Sequence, residues 1–195
     1  MLVPMLTPPP GRRLPVPTAL LAVAASLSEA SAAVREGADL VDLVDLGGIV
    51  RPAVAEFRAR HPGVLVCAPG EAADLVRHPA VALASGALLI CGDPGSALAS
   101  GLPADRVIVE VMPDGVPATA EAGWAAMVDV DRAAELAAAA QPALAGTGRA
   151  ALATGQCRDK PAELAGIIAI AALSSWLGAA VVRTRHPRQV RRALD

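Results

Sequence analysis

The chain has 195 residues, 54% of them hydrophobic, with a mean hydropathy of +0.47, and that composition excludes a disordered protein. A net charge of −2 and a pI near 5.9 exclude the strongly basic class of nucleic-acid binders. One domain with a sizeable core suits this length.

In chain order, residues 1–16 are proline-rich and read as a flexible arm ahead of a single domain over 17–195. The chain then alternates β-like runs with helical ones, the signature of βαβ units and a parallel sheet. Thr18 to Ala24 is the first strand; Leu27 to Glu36 follows as a helix capped by Ser26. Ala38 to Leu46 is the second strand and Arg51 to Arg60 its helix, with Pro52 in the first turn. Val64 to Cys67 is the third strand, and Glu71 to Arg77 reads as the next helix. Ala87 to Cys91, Arg106 to Met112 and Trp124 to Val130 are strands four, five and six. Asp131 to Ala140 is strongly helical, and Gly148 to Thr154 is a weak seventh strand leading into the loop Gly155 to Lys160. The last unit is a helix from Glu163 to Leu177, Gly178 as its stop, a strand over Ala179 to Val182, and a basic helix opened by Pro187.

Eight strands with intervening segments predict a compact (βα)8 barrel, shorter than the ~250 residues typical of that fold. An open doubly wound parallel sheet is the alternative architecture. No Gly-x-Gly-x-x-Gly follows the first strand, so nothing points to a dinucleotide. Phe57, Trp124 and Trp176 are the only aromatics, so the core must be built from Ala, Val, Leu and Ile.

Cys67, Cys91 and Cys157 form no CxxC, and an odd number cannot pair fully. They read as reduced, largely buried thiols and place the protein in the cytoplasm. Arg12-Arg13 and the apolar run behind them imitate a secretory signal, but Pro15, Pro17 and the polar Ser26–Glu29 interrupt it. Leu164 to Val182 is free of charge over a membrane-span length, yet Gly178 divides it and its Ala, Gly and Ser content suits a buried helix; no membrane partner is expected.

In such a barrel, chemistry sits at strand C-termini. Asp93 and Asp114 each follow a strand and are ligand-binding candidates, as is Asp45, which lies nearer a strand end than Asp42. Asp93 and Asp114, like Asp131 after the sixth strand, also suit a turn or cap, where the carboxylate serves the backbone. Arg183 and Arg185 share a strand face by the period of two and suit a phosphate or carboxylate; pairing with neighbouring Asp is the competing role. His186 is a candidate acid or base, or a loop residue ahead of Pro187. Lys160 is the one Lys among seventeen cationic residues and falls in a predicted barrel-top loop beside Arg158. No metal-ligand cluster is visible in the sequence.

Two blocks carry a family resemblance. Ala165, Ala169, Ala172, Leu177-Gly178-Ala179 and Val182-Arg183 form one; Gly37-Ala38-Asp39-Leu40-Val41-Asp42, Gly47-Gly48 and Arg51-Pro52 form the other. Together they resemble the dihydropteroate synthase family over roughly a third of the chain. The resemblance implies a pterin-binding barrel related to the enzyme that joins 6-hydroxymethyl-dihydropterin diphosphate to p-aminobenzoate. It implies Lys160 and Arg183 as catalytic cations, with Asp93, Asp114, Arg158, Arg185 and His186 around the ligand, where Asp45 would join them from its strand-end position. Mg2+ would accompany a diphosphate ligand, and a homodimer is the expectation by analogy.

The departures are many. Ile49-Val50 stand where the family has Glu-Ser-Thr, Ala68-Pro69 where it has Asp-Thr, and Gly92-Asp93 where it has Asn-Asp. Met112-Pro113-Asp114-Gly115 reorder its Asp-Pro-Gly, Cys157-Arg158-Asp159-Lys160 alter its Ser-Arg-Lys, and His186 falls one residue late for Arg-x-His. They imply a homologue without folate-synthase activity that binds a small anionic or pterin-like ligand. An active pterin-dependent transferase and a non-catalytic interaction protein are the alternatives.

Overall fold

The computed structural model describes Leu6 and residues 18–43, 50–70, 72–99, 101–144 and 160–195, without the side chains of 50, 51, 96, 140–144 and 160–162. Eight parallel strands close into a barrel in sequence order: β1 (Ala19–Val23), β2 (Leu40–Asp42), β3 (Leu65–Cys67), β4 (Leu75–Val76), β5 (Leu88–Cys91), β6 (Val107–Glu110), β7 (Ala125–Asp129) and β8 (Val181–Thr184). Around them, among the described residues, lie α1 (Leu27–Arg35), α2 (Val50–Arg60), α3 (Pro79–Ser85), α4 (Pro94–Ala99), α5 (Val116–Glu121), α6 (Val130–Leu144), α7 (Lys160–Trp176) and α8 (Pro187–Leu194). The compact (βα)8 barrel is therefore the architecture, and the open sheet is not. No described helix is long and apolar enough to cross a membrane.

Twelve buried side chains fill the barrel, and the period of two sorts them into layers of four from alternate strands. Ala19, Leu65, Leu88 and Ala125 form one layer, Leu40, Leu75, Ile108 and Val181 the next, and Leu21, Cys67, Ile90 and Met127 the third. Leu6, from the proline-rich segment, packs against this cluster. The outward strand residues, such as Val41, Val66, Val109 and Val128, pack under the helices. Burial on both faces explains the near-continuous Val, Leu and Ile runs.

Two expectations change. Glu71 to Arg77 does not form a helix: Leu75–Val76 are the fourth strand. Only seven residues separate β3 from β4, fewer than the dozen or so of a usual parallel crossover. Asp74 holds them in place: its backbone N–H bonds Val66 O at 2.8 Å, while its carboxylate accepts Val66 N–H at 3.0 Å and Arg58 at 2.5 Å. Second, the strand expected over Gly148 to Thr154 lies outside the described residues, and β7 pairs directly with β8, so the barrel closes without it. What was expected as strands four to six is β5 to β7. Leu75→Ala should cost about 3 kcal/mol in urea unfolding, because Leu75 is fully buried inside the barrel. A surface helical position would change by less than about 0.5 kcal/mol.

The ends of the outer helices follow their sequence signals. Ser26 Oγ accepts Glu29 N–H, and Glu29 reaches back to Ala25 N–H, so α1 begins in a capping arrangement. Gly178, at φ 95°, ends α7 in the left-handed region, with Ala179 N–H bonded to Ser174 O. Near the barrel's N-terminal end, Arg191 of α8 donates to Gly37 O at 2.9 Å and pairs with Asp39, which also accepts Leu20 N–H. Gly37 has φ 99°, and a Cβ there would stand 2.9 Å from Arg191 Cγ, so both backbone and packing require glycine.

Candidate functional site

Above the third apolar layer the even strands place four charges at the barrel's C-terminal mouth: Asp42 ends β2, Arg77 follows β4, Glu110 ends β6 and Arg183 lies in β8. Anion and cation alternate in this set. Asp42 is fully buried; its Oδ2 accepts Arg183 Nε at 3.0 Å and lies 3.6 Å from Arg77 Nη2. Arg77 Nη1 donates to Glu110 Oε2 at 3.0 Å, and Arg132 Nη1 of α6 stands 4.0 Å from Glu110 Oε1. Asp129, at the end of β7, pairs with Arg183 through Oδ2 and accepts Arg132 N–H through Oδ1 at 3.0 Å, which also secures the first turn of α6. Burial alone would lower the Arg183 pKa, but Asp42 and Asp129 outweigh it and the guanidinium is held more firmly protonated. Arg77 behaves likewise: burial lowers, while the Glu110 hydrogen bond and the neighbouring Asp42 and Glu110 charges raise.

One acceptor in this network is left over. Asp42 Oδ1 is buried and has no N–H or O–H donor among the described residues; only the Cys67 thiol, a weak donor, lies beside it. Burial pushes that thiol far above its ordinary range, with the Asp42 charge adding, so the neutral thiol is favoured. Two clefts open at the mouth. One, of about 420 Å³, is bounded by Asp42, Cys67, Pro69, Val76, Arg77 and Val81, and its walls are almost wholly apolar. The other, of about 520 Å³, is lined by Arg77, Glu110, Asp129, Arg132, Met112 and Leu136.

Of the residues singled out from sequence, Arg183 reaches the mouth. Arg185 does not join it: β8 ends at Thr184, and the exposed Arg185 borders a separate cleft of about 440 Å³ with Glu29, Glu36 and Pro187. Asp131 causes the divergence, accepting Thr184 Oγ1–H at 2.8 Å and Arg185 N–H at 2.6 Å, so the chain turns at the strand end. His186 N–H bonds Thr184 Oγ1 at 3.0 Å, and His186 precedes α8 as its cap residue. Asp93 is exposed and accepts Gly95 N–H at 2.9 Å in the turn into α4; Asp114 is exposed in a single helical turn after β6. Lys160 is the first residue of α7 rather than part of a loop, and its side chain is not described. Asp45 and Arg158 lie outside the described residues. Among the described residues no three His, Cys, Asp or Glu side chains are grouped to hold a metal ion.

Asp42 stood second to Asp45 in the sequence reading, and Arg77, Glu110 and Asp129 drew no attention. They had a shared signal: Leu-Val-Asp42, Leu-Val-Arg77, Val-Ile-Val-Glu110, Met-Val-Asp129 and Val-Val-Arg183 are all apolar strand runs closed by a charge. The Asp131 clasp has a pH signature. Burial raises the Asp131 pKa above 3.8, only partly offset by Thr184 and Arg185 N–H. In the window just above 3.8 the folded chain keeps a proton that the unfolded chain has released, so stability falls as pH rises through it. Asp131→Asn should remove that component, seen as a flatter pH profile of the urea midpoint.

No protein-family profile matches the chain, and no curated protein matches its sequence. Solved structures do match, at low identity. Yersinia pestis dihydropteroate synthase aligns with TM-score 0.70 and 13% identity over 98% of this chain and 96% of its own. The Stenotrophomonas maltophilia dihydropteroate synthase aligns with TM-score 0.69 and 16% identity over 93% and 92%. The Mycobacterium tuberculosis protein Rv1207 aligns with TM-score 0.69 and 18% identity over 94% and 93%. A closed eight-stranded parallel barrel and these alignments agree: the chain has the fold of the dihydropteroate synthases.

Proposed function

We propose that this barrel binds a pterin-like, N–H-rich bicyclic ligand at its C-terminal mouth and does not carry out folate synthesis. The observation that supports this is the unpartnered Oδ1 of the fully buried Asp42, bordering an apolar cleft of about 420 Å³. A buried carboxylate oxygen without a donor among the described residues is costly, and a ring amine or lactam N–H would satisfy it once the side chains covering it turn aside, while the flat ring meets Val76 and Val81. Structural neighbours carry such ligands: the Xanthomonas albilineans enzyme is in complex with 7,8-dihydropteroate, and the Yersinia pestis enzyme with a pterine–sulfa conjugate.

The loss of synthase activity rests on the mouth's cations. Expelling a diphosphate requires positive groups free to follow the departing charge. Arg77 and Arg183 are both engaged by carboxylates. Lys160 and Arg158 are left as the proposed contacts for any phosphate-bearing ligand at the mouth, with Mg2+ as its companion; Arg185 faces a separate cleft. Calorimetric titration with pterin, then with 6-hydroxymethyl-dihydropterin diphosphate and p-aminobenzoate while product is followed, tests both halves. Binding without turnover is the expected result. Turnover would overturn the inactive reading, and absence of heat with either pterin would overturn the ligand.

A second reading, an interaction protein, is favoured by one feature: Trp176 is 81% exposed beside the exposed Leu173 on α7. A homodimer across that face is the simplest case, and a Trp176→Glu variant that sediments like the unaltered chain at all concentrations would rule it out.

A further inference from the structure

Arg77 borders both mouth clefts, the apolar one beside Asp42 and the charged one over Glu110 and Asp129. Its guanidinium spans the line between them, tied to Glu110 at 3.0 Å on one side and only 3.6 Å from Asp42 on the other. The side chain is 43% exposed, so it stands up between the clefts rather than lying in the barrel floor. We infer that Arg77 is a partition that sets ligand length: the cleft beside Asp42 accepts a bicyclic head, and Arg77 blocks any rigid substituent that would run on over Glu110. This rests on the pterin-like reading of the first cleft. It makes Arg77 a specificity-determining residue through obstruction, in which an unwanted ligand is rejected by a clash or by separating an ion pair rather than by missing contacts.

Physically, a ligand long enough to occupy both clefts must displace the guanidinium from Glu110, leaving that carboxylate with Arg132 alone at 4.0 Å. A misfit of this kind costs about 1–3 kcal/mol, or roughly five- to hundredfold in affinity. Shortening the side chain removes both the bulk and the tie to Glu110 and joins the clefts, whereas a neutral chain of similar length keeps the bulk alone.

The test is calorimetric titration of the full chain, Arg77→Ala and Arg77→Met with two probes, pterin and pteroic acid, after thermal unfolding has shown each variant folded. The unaltered chain should bind pterin and reject pteroic acid by roughly tenfold or more. In Arg77→Ala the affinity for pteroic acid relative to pterin should rise roughly tenfold or more, and in Arg77→Met, which keeps the bulk but not the tie to Glu110, by less. Equal binding of both probes by the unaltered chain, or no gain in Arg77→Ala, overturns the partition while pterin binding upholds the cleft. Pteroic acid bound by Arg77→Ala alone, with no pterin bound by the unaltered chain, upholds the partition and overturns the native ligand. No binding by any variant overturns both.

Discussion

Arg183→Met is expected to destabilise the barrel by about 3–5 kcal/mol, the largest effect of any single change at the mouth. Among the described residues Arg183 is the cation that reaches both Asp42 and Asp129, and Asp42 has no access to water. Removing the guanidinium leaves a buried carboxylate 3.6 Å from the half-exposed Arg77 and otherwise unanswered. The loss does not mean that the ion pairs contribute that much to folding. An apolar layer of the same volume would do as well or better, because desolvating charges offsets most of their attraction. The distinction is measurable: Arg183→Met with Asp42→Asn and Asp129→Asn should recover most of the stability lost in the single variant. If the triple variant is less stable than Arg183→Met in urea unfolding, the stranded-charge account is wrong.

Asp42→Asn carries the second large effect, on ligand rather than stability. The amide keeps the shape and can still meet Arg183 through its oxygen, but its nitrogen then faces the cleft as a donor where an acceptor is needed. Pterin affinity should fall about a hundredfold, corresponding to roughly 2.8 kcal/mol, the order expected when a charged acceptor is replaced by a mismatched donor. Unchanged affinity in calorimetry would move the ligand away from Asp42.

Much of the barrel could be read from the residues. Both-face burial of Val, Leu and Ile in short runs, with Gly178 and Pro187 as punctuation around the last strand, is local information that survives folding. The fourth strand could not be read, because a two-residue strand has no period of its own and Glu71 to Arg77 satisfies helical propensity equally well. Its place is fixed by Asp74 bridging to Val66 and Arg58, contacts between separate elements. The site was legible only in part for a similar reason. Arg183 and Arg185 have the spacing of one strand face, but the strand ends between them, and the group that ends it, Asp131, is 54 residues away from Arg185 in the chain. Glu110, Arg77 and Asp42 come together only because alternate strands share a layer, which no single stretch of sequence displays.

The brevity of the fourth strand has a dynamic consequence. β3 and β4 are in register at one position, Cys67 with Leu75, while β5, β6 and β7 are joined at three positions each to the next strand around the wall. A closed ring held this unevenly opens first at its thinnest seam, and that seam runs directly beneath the cleft at Asp42. The amide hydrogens of Leu75 and Val76 should therefore trade with solvent deuterium through small local fluctuations, while those of β6 and β7 wait for the whole fold to come apart.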